Sequence, residues 1–297
     1  MTPAPFSNAR IWRALRSSVP IFSQGCFMHK FLTCFMCLLL FTACESNKKA
    51  TERKAAESEK AQQEYDYRTA LQNYKIGINH IHHDELPEAI AALEKAVKVD
   101  STNFRYHHGL GLAYSLNGQL DDALLQLEES MRINPSFSEG LNLMGTIYTD
   151  QEKYDEAVIC FHKVIRDRSF SQPKFGYFNL GKVKRLQNRT DEAIAAYNLA
   201  IQSDPEFYRA YVALAEIYKE QKDYAKVLYY YQKAEPNYST DVNVLFNIGH
   251  ALFRLKRYDR AKSYLAQVSI LSPPPSIDKP TQDMLNAINQ ILREQRY

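Results

Sequence analysis

The 297-residue chain has few of the residues that build sheets and disulfide-linked domains. It contains ten glycines and no run of alternating β-branched residues, so the pattern does not predict a sheet. Four of its five cysteines lie within the first 44 residues, and only Cys160 lies beyond them. Because a single cysteine cannot form an intrachain disulfide, the fold has to depend on packing alone.

The chain also lacks the motifs of common catalytic sites. It has no His-Glu-x-x-His, no glycine-rich phosphate loop and no Gly-x-Ser-x-Gly, so we predict no catalytic residues, no cofactor and no small-molecule substrate. His80, His82 and His83 form the one suggestive cluster. His80 and His83 share a helix face and could approach one metal ion, but histidines at a turn are usually solvated. A metal-dependent enzyme at these histidines is therefore only a remote alternative.

The formal net charge of +3 comes from the amino-terminal end. Residues 1–44 carry four basic residues and no acidic one, whereas residues 45–297 carry 33 basic and 34 acidic residues. This nearly neutral balance gives no reason to predict a nucleic-acid partner.

Residues 1–43 have the pattern of an export signal. Lys30 precedes an apolar run at residues 31–41, which small residues follow; such a run is too short to span a bilayer comfortably. Met28 begins a normal short signal, so the translation start is either Met1 or Met28. The alternatives are a plain signal peptide or a transmembrane anchor.

Thr42-Ala43-Cys44 resembles a bacterial lipobox. The resemblance implies that Cys44 carries the lipid and becomes the new amino terminus, and that Glu45 after it favours the outer membrane. Residues 44–69 are rich in Lys, Glu, Ala and Gln and cannot bury enough apolar surface to form a domain. We expect them to form a partly helical, charged tether between lipid and body.

Residues 70–275 contain an internal repeat. One series of small residues is separated by steps of 34, 34, 36, 34 and 34, and a second series follows it twelve residues later. Two series in register predict six helix–turn–helix units, in which a small residue lets the two helices approach closely. The first series is Gly77, Gly111, Gly145, Gly181, Ala215 and Gly249, and the second is Ala89, Ala123, Ala157, Ala193, Val227 and Ala261.

This spacing resembles the tetratricopeptide repeat. The resemblance implies an all-α, right-handed superhelical solenoid of six tetratricopeptide repeats. Residues 276–297 follow as a C-terminal capping helix, because an apolar stripe after Pro280 suits the open face of repeat six. The stripe comprises Met284, Leu285, Ile288, Ile291 and Leu292. The step of 36 places two extra residues, Gln172 and Pro173, between repeats three and four.

In tetratricopeptide arrays the first helices line a concave groove that binds a protein partner. By resemblance, the groove residues here are Tyr74, Ile78, Ile81, Arg105, His108, Leu112, Asn142, Phe175, Phe178, Lys182, Arg185, Arg209, Phe246, His250 and Phe253.

The whole layout resembles the type IV pilus pilotins, the PilF/PilW/Tgl lipoproteins. Local similarity is greatest at residues 165–173 and at Phe178-Asn179-Leu180-Gly181, where the family has an aromatic-Ser/Thr-x-Pro insertion before Asn-Leu-Gly. The resemblance implies a non-enzymatic lipoprotein on the periplasmic face of the outer membrane, which binds the pilus secretin and promotes its localisation and assembly. The alternative is a general envelope scaffold that recruits peptidoglycan enzymes or outer-membrane assembly factors.

Overall fold

The computed structural model describes the backbone of residues 24–295 and the side chains of residues 48–295. The described part of the chain is all-helical, and no strand occurs among its residues. The helices are α1 Gln24–His82, α2 Leu86–Val99, α3 Phe104–Leu116, α4 Leu120–Ile133, α5 Ser138–Asp150, α6 Tyr154–Arg166, α7 Pro173–Leu186, α8 Thr190–Ser203, α9 Tyr208–Glu220, α10 Tyr224–Ala234, the 3-10 turn Glu235–Asn237, α11 Val242–Arg254, α12 Tyr258–Ile270 and α13 Pro275–Glu294.

The chain divides into two compact units, with the boundary after Tyr67. In the first unit, the described residues are helical, and nearly all side chains from residue 48 onward are exposed. Arg53 pairs with Glu57 at 3.1 Å, and the Gln62 amide donates to Asp66 at 2.8 Å; both are i, i+4 pairs that support a solvated helix. No helix among the described residues is long and apolar enough to cross a membrane.

In the second unit the helices pair as predicted, and the small residues stand where the two helices of a repeat cross. A Cβ added at Gly111 would lie 2.8 Å from Leu127 Cγ, and one added at Gly181 would lie 2.7 Å from the Tyr197 ring. These positions therefore need glycine for close approach. The residues at the matching position of the second helix are almost fully buried: Leu93, Leu127, Phe161, Tyr197, Tyr231 and Leu265.

The turn between the two helices of each repeat has one conformation throughout the array. A residue with positive φ follows the first helix, and the next backbone N–H donates to a carbonyl five residues back, as in Gln119 to Tyr114 at 2.9 Å and Arg189 to Lys184 at 2.8 Å. This arrangement is the Schellman motif, which satisfies the last carbonyls of a helix. The positive-φ residues are Asp84, Gly118, Glu152, Asn188, Lys222 and Lys256.

The connections between repeats depend on a side-chain turn more than on proline. Asp100, Asn134, Asp167 and Asp204 each follow a second helix and accept the backbone N–H two residues later, at 2.9–3.3 Å. Pro135 and Pro205 follow two of these residues, whereas Ser101 and Arg168 follow the other two, so the Asx turn forms with or without a proline. Pro173 is not part of an inter-repeat insertion, because it is the first residue of α7, where a proline lacks no needed hydrogen bond.

The terminal helix α13 packs against α11 and α12, which confirms the capping helix. Ile288 is fully buried in the last core cluster together with Leu252 and Leu265. The helix begins at Pro275 and contains Pro280, so it starts before the position that the sequence predicts. Pro275 suits the first turn, and Pro280 removes only one intrahelical bond.

The shared turn gives a stability prediction. Gly118 is the only glycine among the positive-φ residues, and a Cβ there would have no neighbour within 4 Å. Gly118→Ala should therefore lower the free energy of unfolding through backbone conformation alone, by about 1 kcal/mol. Lys222→Ala is the matched control. Lysine and alanine both carry a Cβ, so this change at a positive-φ position adds no backbone strain. Urea unfolding should show the loss only in Gly118→Ala; equal losses would contradict this account.

Candidate partner-binding face

The predicted groove residues lie on the first helices of the repeats, and these helices contact one another. Helix α3 contacts α5, and α5 contacts α7. The Asn179 amide donates to Asn142 Oδ1 at 2.9 Å, and Lys219 Nζ lies 3.4 Å from Asn247 Oδ1. Successive repeats thus join their first helices into one surface, called here the first-helix face.

The early part of this face is partly used by the core. Tyr74 packs against Tyr106, with ring centroids 5.2 Å apart, and together with Ile81 it adjoins the cluster around Leu93. Ile78 and Leu112 are half-buried and belong to no core cluster, so they keep apolar surface available. Arg105 is exposed, and its guanidinium lies 4.9 Å from the centre of the Phe104 ring.

His108 is a neutral member of the face. Its ring meets Phe137 edge-on, with centroids 4.9 Å apart. Burial lowers the pKa of His108 from 6.5 to about 4, because a buried imidazolium loses its hydration. At neutral pH this position therefore presents an uncharged ring to a partner.

The central part combines aromatic rings with cations. Phe207 meets Phe175 and Phe178 edge-on, at centroid distances of 5.5 and 5.3 Å. The Arg209 guanidinium lies 5.0 Å from the Phe178 centroid, and Lys174 lies near Phe175 and Phe207. These contacts fix the rings and the arginine in place, so the patch is preorganised.

Most cations of α7 are neutralised by neighbouring helices. Lys182 lies 3.9 Å from Asp150, and Arg185 pairs with Glu220. Lys174 pairs with Asp204 at 2.6 Å. By contrast, no carboxylate of the described residues lies within ion-pair distance of Arg105 or Arg209. These two arginines of the predicted groove therefore remain available to a partner's acidic group.

The late part of the face is aromatic. The His250 ring lies parallel to Phe246 at 6.2 Å and edge-on to Tyr224 at 5.6 Å. Burial lowers the pKa of His250, and Arg254 and Lys219 lower it further. Phe253 meets Tyr258 at 5.9 Å, and both Phe246 and Phe253 adjoin the last core cluster.

Sequence reasoning missed several residues that shape this face. Phe137 and Phe207 precede α5 and α9, outside the groove positions, yet they hold His108 and Phe178. The sequence does contain a signal for them, because a phenylalanine directly precedes each of these two first helices at positions that are 70 residues apart. The Tyr231–Glu216 hydrogen bond had no such signal, because it joins the two helices of one repeat.

The histidine cluster is occupied by local hydrogen bonds. His80 Nδ1 lies 2.6 Å from Glu85 Oε2, and His83 Nδ1 lies 2.8 Å from the Asn79 carbonyl oxygen. No group of three potential ligands in the described part of the chain could hold a metal ion. The side chain of Cys44 lies outside the described residues, and its lipidation stays a prediction.

Comparisons with known proteins agree with the repeat architecture. A family model described as TPR repeat matches residues 84–118 and 181–222, and one described as tetratricopeptide repeat matches residues 138–166 and 242–273. The fold is therefore that of a tetratricopeptide repeat protein, a scaffold that typically binds protein partners. The matching models describe repeats rather than catalytic domains.

Two solved structures share this fold over almost their entire length. PilF of Pseudomonas aeruginosa has a TM-score of 0.64 and 16% identity, over 73% of this chain and 98% of that chain. PilW, a type IV pilus biogenesis factor, has a TM-score of 0.61 and 18% identity, over 74% of this chain and 97% of that chain.

Among curated relatives, anaphase-promoting complex subunit 3 of Schizosaccharomyces pombe is 25% identical over 166 residues, which is 55% of this chain and 24% of that subunit. The chain spans less than half the length of the curated relatives that it matches.

A pH prediction follows from His108. Its folded-state pKa of about 4 lies below the unfolded value of 6.5, so only the unfolded chain takes up this proton between those values. Stability should fall as the pH drops through this window, by up to about 1.4 kcal/mol per unit. His108→Asn should flatten that slope in urea unfolding between pH 6.5 and 4.5. Above pH 7 the two proteins should differ by a constant amount; parallel curves at acid pH would refute the assignment.

Proposed function

We propose that this protein is a lipid-anchored pilotin of the outer membrane, which binds the type IV pilus secretin and promotes its localisation and multimerisation. The observation that carries the proposal is the combined layout: a sequence at Cys44 that resembles a lipobox, a charged segment after it, six repeats and a lengthened loop before an Asn-Leu-Gly helix. The loop at residues 167–172 has six residues, whereas the connections between α2 and α3, α4 and α5, and α8 and α9 have four; the seven residues between α10 and α11 include the 3-10 turn Glu235–Asn237. The fold likeness to PilF and PilW supports the proposal.

The mechanism joins two functions in one chain. The acyl groups on Cys44 would hold the protein at the membrane, since each buried methylene contributes about 0.8 kcal/mol. The first-helix face would hold a segment of the secretin subunit. Its half-buried apolar residues and its stacked arginines suit a segment with apolar and acidic side chains. Delivery then needs no covalent chemistry, because membrane and partner are bound at the same time.

The general envelope scaffold remains the alternative, since its fold and face would be the same. Pull-down from detergent-solubilised envelopes separates the two functions: secretin peptides favour the pilotin, whereas peptidoglycan hydrolases or barrel-assembly subunits favour the scaffold.

The cellular test is deletion of the gene in its host. Without the protein, heat-stable secretin multimers should disappear from the outer membrane and surface pili should be lost, because the secretin monomer is no longer delivered. Restoring the wild-type chain should restore both, whereas Cys44→Ser should restore neither fully. Persistence of multimers and pili in the deletion strain would contradict the proposal.

The first-helix face is tested by charge reversal in vitro. Arg105→Glu combined with Arg209→Glu should weaken capture of purified secretin at least about tenfold, since two charge-assisted contacts are lost. Lys95→Glu combined with Lys262→Glu is the matched control, because both lysines are exposed on second helices. Surface plasmon resonance measures the dissociation constants. Equal affinity of the two double variants would exclude this face as the contact.

A further inference from the structure

A cavity of about 400 Å³ is lined by residues of α4, α5 and α6. Its walls are mainly apolar: Met131, Leu141, Met144, Tyr148, Ile159 and Cys160. None of these residues belongs to the predicted groove, so the cavity is separate from the first-helix face. Repeat two and repeat three meet here.

The equivalent position two repeats later carries an aromatic ring. Repeats three and five are offset by 70 residues, so the residues equivalent to the cavity lie at the junction of α8, α9 and α10. There Tyr218 is equivalent to Tyr148, and Tyr230 is equivalent to Cys160. The rings of Tyr230 and Tyr218 are stacked, with centroids 5.4 Å apart and planes 2° apart. Lys226 lies 4.4 Å from the Tyr218 centroid. The fold therefore accepts an aromatic ring at this position.

In the cavity that ring is missing. Cys160 has the place of Tyr230, and a cysteine is too small to reach across. No aromatic ring of the described part of the chain stacks on Tyr148, which is half-buried. We propose that the cavity binds an aromatic side chain of a protein partner, which stacks on Tyr148 as Tyr230 stacks on Tyr218.

The charges around the cavity define the neighbours of that side chain. Glu156 lines the cavity where the equivalent junction has Lys226. Burial raises the pKa of the Tyr148 hydroxyl, and the nearby Cys160, Glu128 and Glu156 raise it further. Lys163, seven residues along α6 from Glu156, stands about 10 Å away along the helix axis. The end of the cavity at Glu156 is thus acidic, and the partner segment carries a basic residue beside its aromatic one.

Small aromatic probes test the site on the full-length protein. The probes are para-cresol, tyramine with its ammonium group, and 4-hydroxyphenylacetate with its carboxylate. Methionine-methyl NMR is the measurement, because Met131 and Met144 line the cavity while Met284 lies in α13. Para-cresol should shift the first two methyl signals, with a dissociation constant of about 1–10 mM, and should leave Met284 unchanged. Tyramine should bind more tightly than 4-hydroxyphenylacetate.

Cys160→Tyr supplies the missing ring from within. It should raise the midpoint of thermal unfolding by roughly 2–4 °C and abolish the methyl shifts. Cys160→Ser is the matched control and should keep the cavity open. A Cys160→Tyr protein that unfolds, or that binds para-cresol as before, would overturn the proposal.

Glu156→Lys gives an independent test that leaves the apolar walls intact. Glu156 is exposed, and the equivalent residue in repeat five is Lys226. The variant should lose the preference for tyramine over 4-hydroxyphenylacetate. An unchanged preference would show that Glu156 does not orient the ligand. Unmoved Met131 and Met144 signals in the wild-type protein would show that the cavity takes no ring at all.

Discussion

Within each repeat the first helix approaches the second so closely that the crossing point admits almost no side chain. At Gly145 an added Cβ would lie 2.6 Å from the Phe161 ring, and at Gly77 it would lie 2.5 Å from Leu93 Cγ. Because interiors are packed to crystal density, this contact fixes the distance and the rotation of each helix pair. The rotation then decides which residues face the neighbouring repeat and which remain for a partner. Both the first-helix face and the cavity between α4 and α6 are consequences of that geometry.

The lengthened loop between repeats three and four does not detach the two halves of the array. Asp167 accepts hydrogen bonds from the Ser138 hydroxyl at 2.6 Å and from Ser169, and these bonds lower the pKa of its carboxyl group. One repeat later the Asp204 carboxylate forms an ion pair with Lys174, at the equivalent position. These two inter-repeat turns are thus tied to the start of the first helix before them. Two additional residues can be accommodated because the tie is made by the first residue of the loop, ahead of the insertion.

The fold could be predicted from the sequence because its main constraint falls on residue size, which a sequence shows directly. The positive-φ turns escaped prediction since Asp84, Gly118 and Lys256 share a backbone conformation and no side-chain chemistry. The candidate site was predicted only by position. Whether a groove residue packs inward, as Tyr74 does, depends on the ring that it meets in the next repeat. Pairing such as Arg185 with Glu220 joins residues 35 positions apart and cannot be deduced from either one.

Sequence differences between repeats have different meanings at the point where the two helices cross and at the positions beside it. Positions at the crossing vary little in size because every repeat needs the same approach, so variation there reports on packing. Positions beside the crossing are free to vary, and there the chain places tyrosine in repeats five and six but alanine, glutamine or cysteine in repeats one to four. The cysteine of repeat three leaves apolar surface uncovered, although the same backbone accommodates a ring elsewhere in the molecule. The open surface at Cys160 therefore reflects the choice of side chain in that repeat and not a limit on packing.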